Sequence, residues 1–308
     1  MKIAITGATG FVGSRLTAQL IKEGHHVVVL TRSPETAQTL FPAAAFPNLE
    51  IVAYTPQAPG DWQNCLSGCD GVVNLAGAPI AEQRWTPARK QDILESRSLG
   101  TQMLVAAIAQ ANPRPKVLVN ASAIGYYGTS ETAAFTEADA PGTDFLAQVC
   151  QQWEAAARAV EQSGVRLVIP RIGIVLGNGG AIAKMIPPFR MFAGGPIGTG
   201  RQWFSWIHRE DLVQFIIEAL QNPQVQGVYN ATAPQPQRMG EFCKVLGQAM
   251  GRPSWLPVPN FVLETLLGDG AIVVLEGQQV LPKALESLGF TYQYPEAAGA
   301  IAEVLSHY

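Results

Sequence analysis

The side chains able to hold a substrate oxygen or move a proton follow one short apolar run. Val117-Leu118-Val119-Asn120-Ala121 leads into Ser122-Ala123-Ile124-Gly125-Tyr126-Tyr127-Gly128, a serine with two phenols close behind it. Hydroxyls at the carboxyl end of a parallel strand sit where such sheets hold their ligands. Ser122 with Tyr126 or Tyr127 would donate hydrogen bonds to a substrate oxygen; in the plainer alternative the tyrosines pack and the serine caps a turn. A phenol of pKa about 10 is a poor base at neutral pH unless a cation stabilises its anion. Arg84, Lys184 and His208 arrive from loops as further polar groups that could reach the substrate.

Such a placement needs a parallel sheet, and Met1 to Arg32 shows how one begins. Ile3-Ala4-Ile5 enters Gly7-Ala8-Thr9-Gly10-Phe11-Val12-Gly13, an amphipathic segment follows, and Val27 to Leu30 is a second apolar run. This is strand, glycine turn, helix and strand. In such a unit one glycine makes the tight turn, one lets the backbone approach a pyrophosphate, and one lets the helix pack closely on the sheet. The helix N-terminus adds free N–H groups and a positive dipole end. Gly7, Thr9, Gly10, Phe11 and Val12 are therefore read as nucleotide contacts, against the alternative of a β-turn-α unit without ligand.

The end of the second strand decides which dinucleotide. A ribose 2′-hydroxyl calls for an Asp or Glu there, whereas a 2′-phosphate calls for a cation and small hydroxyls. The residues are Thr31-Arg32-Ser33, with no acid, so the reading is NADP(H). A fourth strand from Asp70 ends in Asn74-Leu75-Ala76-Gly77, small residues whose turn backbone would lie beside the cofactor. On the helical stretch Trp85 to Gln110, Asp92 and Arg97 could face either solvent or the cofactor.

The rest of the chain supplies further strands at Leu49 to Ala53, Val165 to Ile169 and Val228 to Ala231, with a helix at Asp144 to Gln162. Between about 173 and 205 the rhythm fails in a glycine-rich stretch, read as an irregular substrate-loop insertion. The expected fold is α/β, a Rossmann-type doubly wound parallel sheet over 1–237, with a smaller, mainly helical C-terminal substrate region over 238–308 that closes the site.

Composition narrows the function classes. Hydrophobic residues at 47% and charged residues at 15% fit a globular protein rather than a disordered one. A net charge of −3 without any basic block argues against nucleic acid or an anionic membrane as partner. The longest apolar candidate for a membrane span, Leu167 to Ala183, contains Arg171 and several glycines. The glycine-rich start suits the nucleotide turn better than a signal peptide, so a cytoplasmic protein with a small-molecule substrate is expected. Cys65, Cys69, Cys150 and Cys243 lack zinc-ligand spacing and the four histidines form no metal motif, so no metal is expected.

Together these motifs resemble the extended short-chain dehydrogenase/reductase superfamily of NAD(P)-dependent epimerases. The resemblance rests on Gly7 to Gly13, Asp70 to Gly77, Gly100-Thr101, Ser122 with Tyr-Gly after it, Pro170-Arg171, and Ile207-His208 through Asp211-Leu212. More narrowly the chain is similar to an atypical epimerase branch of unknown substrate with bacterial, plastid and vertebrate members. The marks are Arg84-Trp85-Thr86, Ser96-Arg97, Trp153-Glu154, Gly194 to Gly198, Ser205 to His208, and Leu275 to Gln278 with Val280-Leu281-Pro282. The resemblance implies NADP contacts from Thr31, Arg32, Leu75, Ala76, Arg97, Asp92 and also Val175. It further implies an appended C-terminal module from Pro253 to Val304, and some relatives carry a cell-division label of the SulA type.

The superfamily pairs a tyrosine with a lysine four residues later, and this chain has no such pair. With Trp153-Glu154 aligned to the usual acidic position, those places fall at Leu146 and Cys150. The oxidised nicotinamide's own positive charge would then be the cation that lowers a phenol's pKa. The reading is an NADP(H)-binding oxidoreductase or epimerase acting on a small polar metabolite. A non-catalytic NADP-sensing regulator, and an isomerase or dehydratase using no net hydride, stand beside it.

Overall fold

Ile3 to Ile5, Val27 to Leu30 and Val117 to Val119 are apolar without alternation, the pattern of strands covered on both faces. In the computed structural model, which describes all 308 residues, they form the middle of a parallel sheet. Its main strands are β1 (Lys2–Thr6), β2 (His26–Thr31), β3 (Leu49–Ala53), β4 (Gly71–Asn74), β5 (Val117–Asn120), β6 (Arg166–Ile172) and β7 (Gly227–Ala231). Their order across the sheet is β7-β6-β5-β4-β1-β2-β3, and Ser122–Ala123 continues past β5 to pair with the end of β6. The order reverses between β1 and β4, where crossovers leave in opposite directions and open a crevice at the carboxyl ends.

The flanking helices are α1 (Phe11–Lys22), α2 (Pro34–Leu40), α3 (Pro87–Gln110), α4 (Phe145–Arg158), α5 (Gly180–Arg190) and α6 (Arg209–Gln221). The C-terminal part adds α7 (Met239–Met250), α8 (Asn260–Leu267), α9 (Ile272–Leu275), α10 (Lys283–Leu288) and α11 (Ala297–Leu305). Ile3 and Ile5 point into a core under α1 and α6, while Ala4 points into a second core under α3 and the end of α4. The inner strands thus bury both faces, as the doubly wound reading requires, while the edge strand β3 is only partly covered.

Two helices go beyond the sequence reading, α2 where no element was assigned and α5 where an irregular stretch was expected. Residues 34–40 form α2, where Pro34 occupies the first helical turn, in which its missing N–H costs nothing. Within the stretch expected to be irregular, α5 buries Ile182, Ile186 and Phe189 on one stripe and carries Pro187 and Pro188 inside it. Prolines in a helix interior remove hydrogen bonds; the stripe compensates by packing.

That packing ties the two halves of the chain together. Ile182, Ile186, Phe189, Phe204 and Trp206 share a core with Phe242 and Leu246 of α7 and with Ala300, Ile301 and Val304 of α11. Gln279–Val280 also pairs in parallel with Ala134–Phe135, and Leu285 of α10 joins the core beneath β7. No helix is long and apolar enough to cross a membrane.

Candidate functional site

The crevice is a continuous cleft of about 480 Å³ that starts on the glycine turn, crosses the ends of β5 and β6, and runs to the C-terminal segment Ile272–Gln278. The turn's glycines are dictated by geometry. Gly7 has φ +69°, and a Cβ on it would stand 2.8 Å from the Leu75 carbonyl carbon. A Cβ on Gly13 would stand 2.1 Å from the Gly7 oxygen. Only glycine lets α1 begin this close to the sheet. Gly7, Gly10, Phe11, Val12 and Leu75 all line the cleft.

A buried side-chain network holds the strand ends around it. Thr6 donates to Asn74 Oδ1 at 2.6 Å, and Asn74 Nδ2 donates to Asn120 Oδ1 at 2.6 Å and to Thr101 Oγ1 at 2.9 Å. The Ala76 N–H reaches Thr6 Oγ1 at 3.3 Å, which fixes the β4 exit. Arg97 of α3 lies along that exit: its Nη1 donates to the carbonyls of Ala78 and Ile93, and a Cβ on Gly77 would strike its guanidinium. Burial lowers the Arg97 pKa, and the guanidinium stands 5.2 Å from the Trp153 ring. The Trp153 indole N–H is buried in the cleft wall without a protein partner.

Ser122 reaches the cleft, but its proton is committed. Its Oγ donates to Glu154 Oε1 at 2.8 Å, and Arg171 grips both oxygens of Glu154, at 2.8 and 2.9 Å. All three side chains are buried. Burial alone would lower the Arg171 pKa, yet Glu154 more than offsets it and holds the guanidinium charged. Tyr127 accepts from Arg171 Nη1 at 2.9 Å and donates to Asn230 Oδ1 at 2.7 Å, and burial pushes its phenol up to about 12. The Tyr126 ring stacks on Arg171, with the guanidinium carbon 3.3 Å from its centroid. Neither tyrosine lines the cleft. Both brace Arg171 from behind Ser122, because the turn after Ser122–Ala123 directs the rings back over the end of β6.

The remaining sequence candidates divide. Thr31 and Arg32 stand at the carboxyl end of β2, beside β1, and Arg32 is exposed without an ion pair. Thr9, Ala76 and Gly77 flank the cleft on the turns described. Asp92 does not join Arg97: five residues apart on a helix, the two point about 140° from each other, and Asp92 is exposed and paired with Arg89. Val175 packs against the first core from the short strand Ile174–Leu176, and its neighbour Ile174 faces the cleft instead. Arg84 is exposed and lies over Gly268, and Lys184 is exposed on the face of α5 away from its buried stripe.

His208 is a structural residue rather than a substrate contact. It is 1% exposed, its Nε2 bonds Glu303 of α11 at 2.9 Å, and its Nδ1 accepts the Glu210 N–H as the cap of α6. A neutral ring protonated on Nε2 satisfies both partners. Burial holds its pKa below the ordinary 6.5, against the opposing pull of Glu303, Asp211 and Glu210. The unfolded chain therefore takes up a proton that the folded one refuses. This contribution to stability is complete above pH 6.5 and declines as pH falls toward the lower folded value. Asp211, raised by burial, acts in the opposite direction at lower pH. Denaturant midpoints followed below pH 6.5 should show the decline, and His208→Gln should flatten it; an unchanged slope in that variant would rule out His208 as its source.

Sequence reasoning named Trp153-Glu154 and Arg171 as marks without seeing that they form the bed under Ser122. One signal was available: Glu154 interrupts the apolar stripe Val149, Cys150, Trp153, Ala157 on α4, and a lone charge on a buried stripe needs a partner. Leu146 and Cys150 line the cleft, and burial pushes the Cys150 thiol up to about 11. No group of three His, Cys, Asp or Glu side chains is arranged to hold a metal ion.

Comparison with known proteins agrees with this architecture. The family model described as NAD dependent epimerase/dehydratase family matches residues 3–232, and one described as a domain of unknown function (DUF1731) matches 258–304. The chain is 50% identical over 308 residues to an Arabidopsis thaliana protein described as epimerase family protein SDR39U1 homolog, chloroplastic, covering 99% of this chain and 87% of that one. It is 40% identical to the epimerase family protein YfhF of Bacillus subtilis, covering 99% and 98% of the two chains. It also superposes on the crystal structure of the human epimerase family protein SDR39U1 (isoform2) with NADPH, with TM-score 0.88 at 35% identity and 100% of both chains covered. With the epimerase/dehydratase model matched over residues 3–232 and relatives up to 50% identical over the whole length, the chain belongs to the NAD-dependent epimerase/dehydratase family.

Proposed function

We propose that this protein binds NADP(H) across the glycine turn and exchanges hydride between it and a small metabolite, as an oxidoreductase or epimerase. The carrying observation is the pairing of a turn that excludes any Cβ at Gly7 and Gly13 with an exposed, unpaired Arg32 at the end of β2. The first admits a pyrophosphate against the backbone, and the second suits a 2′-phosphate. The solved human relative carries NADPH. Further donors fit the same ligand, since Arg97 has nitrogens left over and the Trp153 N–H has no protein partner.

When bound, the nicotinamide supplies the hydride chemistry; the chain's own residues bind, orient and exclude water. Ser122, its proton held by Glu154, offers lone pairs to a substrate hydroxyl at the β5 exit. Tyr126 and Tyr127 are positioning residues in this reading. They fix Arg171, which fixes Glu154, which fixes Ser122. A second reading, a non-catalytic sensor of NADP(H), draws on Leu146 and Cys150, which leave an apolar side chain and a protonated thiol where the superfamily has its phenol and ammonium.

Calorimetric titration of NADPH and NADH tests the cofactor. Wild type should prefer NADPH, and Arg32→Ala should lose about 1.5–3 kcal/mol of NADPH binding, roughly ten- to a hundredfold, while NADH affinity is little changed. Equal wild-type affinities for the two would end the proposal.

A further inference from the structure

The far end of the cleft differs in character from the glycine turn. Its walls are Ile80, Leu146, Val149, Trp203, Ile272 and Val273, from four separate parts of the chain. The only cation lining the whole cleft is Arg97, and it lies against Gly77 on the dinucleotide side with one nitrogen already committed to two carbonyls. Arg84, Lys184 and His208, the polar groups read from sequence as reaching the substrate, are placed elsewhere. The charged groups that do line this end are acids: Asp144, capping α4, and Glu276, which accepts a hydrogen bond from Thr129.

A phosphate or diphosphate brought here would find no guanidinium or ammonium among the lining residues, Arg238 being stacked on the Trp203 ring and tied to the carbonyls of Arg201 and Glu131, and would face two carboxylates. Sites that recognise such groups use Arg, Lys or a helix N-terminus; like charges across a contact are a means of rejecting a ligand. An apolar ligand would instead remove water from Ile80, Leu146, Trp203, Ile272 and Val273, which are at present only half-buried. We propose that the substrate end of this cleft takes an apolar, phosphate-free compound and excludes nucleotide-linked sugars. The inference deepens the function proposed above and rests on it only for the placement of dinucleotide at the other end. It replaces the polar metabolite expected from sequence with an apolar one.

The test uses full-length protein in a calorimeter, with 1-tetralone as the apolar probe and UDP-glucuronic acid as the charged one. NADPH is titrated first by itself, so that failure of the cofactor reading is seen separately; the two probes are then titrated into both the NADPH-loaded and the cofactor-free protein. 1-Tetralone should bind saturably, and Leu146→Gln and Val273→Gln, both at half-buried positions, should each weaken it roughly tenfold while NADPH affinity holds. UDP-glucuronic acid should give no saturable heat in the same range. Tighter binding of UDP-glucuronic acid than of 1-tetralone, or 1-tetralone binding unmoved by both substitutions, would overturn the proposal whatever NADPH does.

Discussion

Glu154→Leu is expected to lower the free energy of unfolding by about 3–5 kcal/mol, the cost of stranding a buried charge. The substitution removes both acceptors of Arg171 and the acceptor of Ser122, leaving the guanidinium with the Tyr127 hydroxyl and the face of Tyr126. Arg158 touches Glu154 at 3.6 Å from a half-exposed position and relaxes into solvent once the carboxylate is gone. The double variant Glu154→Leu with Arg171→Leu should recover much of the loss, since no unpaired charge remains. Urea unfolding of the two singles and the double forms the cycle. A single-variant loss below about 1 kcal/mol would mean that water reaches Arg171 and that the network contributes little.

Ending the chain after Gln237 is expected to abolish folding rather than trim a lobe. The deleted part supplies Phe242, Leu246, Ile301 and Val304 to a core whose other half is Ile182, Ile186, Phe189, Phe204 and Trp206. Large apolar side chains contribute about 1.5–3 kcal/mol each when fully buried, and domains are stable by only about 5–15 kcal/mol. Uncovering that surface, with the loss of the His208–Glu303 contact and of the strand pair at Ala134–Phe135, exceeds what the sheet holds in reserve. Circular dichroism and size exclusion of the truncated chain would show it. A monomeric, cooperatively folding product would place the dinucleotide half on its own footing.

The legible parts of the fold were those set by local periodicity and by glycine. The runs at Ile3, Val27 and Val117 announced buried parallel strands, and Gly7 to Gly13 announced the crevice. Of the helices that escaped notice, α2 opens with Pro34 and α5 carries Pro187 and Pro188 inside it; proline reads locally as a break and is overruled here by packing, whereas α3 was legible despite its opening Pro87 because a long apolar spacing follows. Site residues divided similarly. Ser122 was found from its place after a strand, but the direction of the two tyrosines depends on Arg171, which approaches from another strand. His208 looked available because its partner Glu303 is far off in sequence. Contacts of that kind have no signature in a single chain's spacing.

Leu146 and Cys150 carry one more implication. An acid–base pair at those positions would make the occupant of the cleft answer to proton concentration; a leucine and a thiol held at about 11 by burial do not titrate in the physiological range. Acidification of the surroundings therefore changes the charge of neither position. Any pH dependence of ligand binding in this cleft must then enter through the carboxylates that line it, Asp144 and Glu276, and not through the two positions that carry the acid–base pair elsewhere in the superfamily.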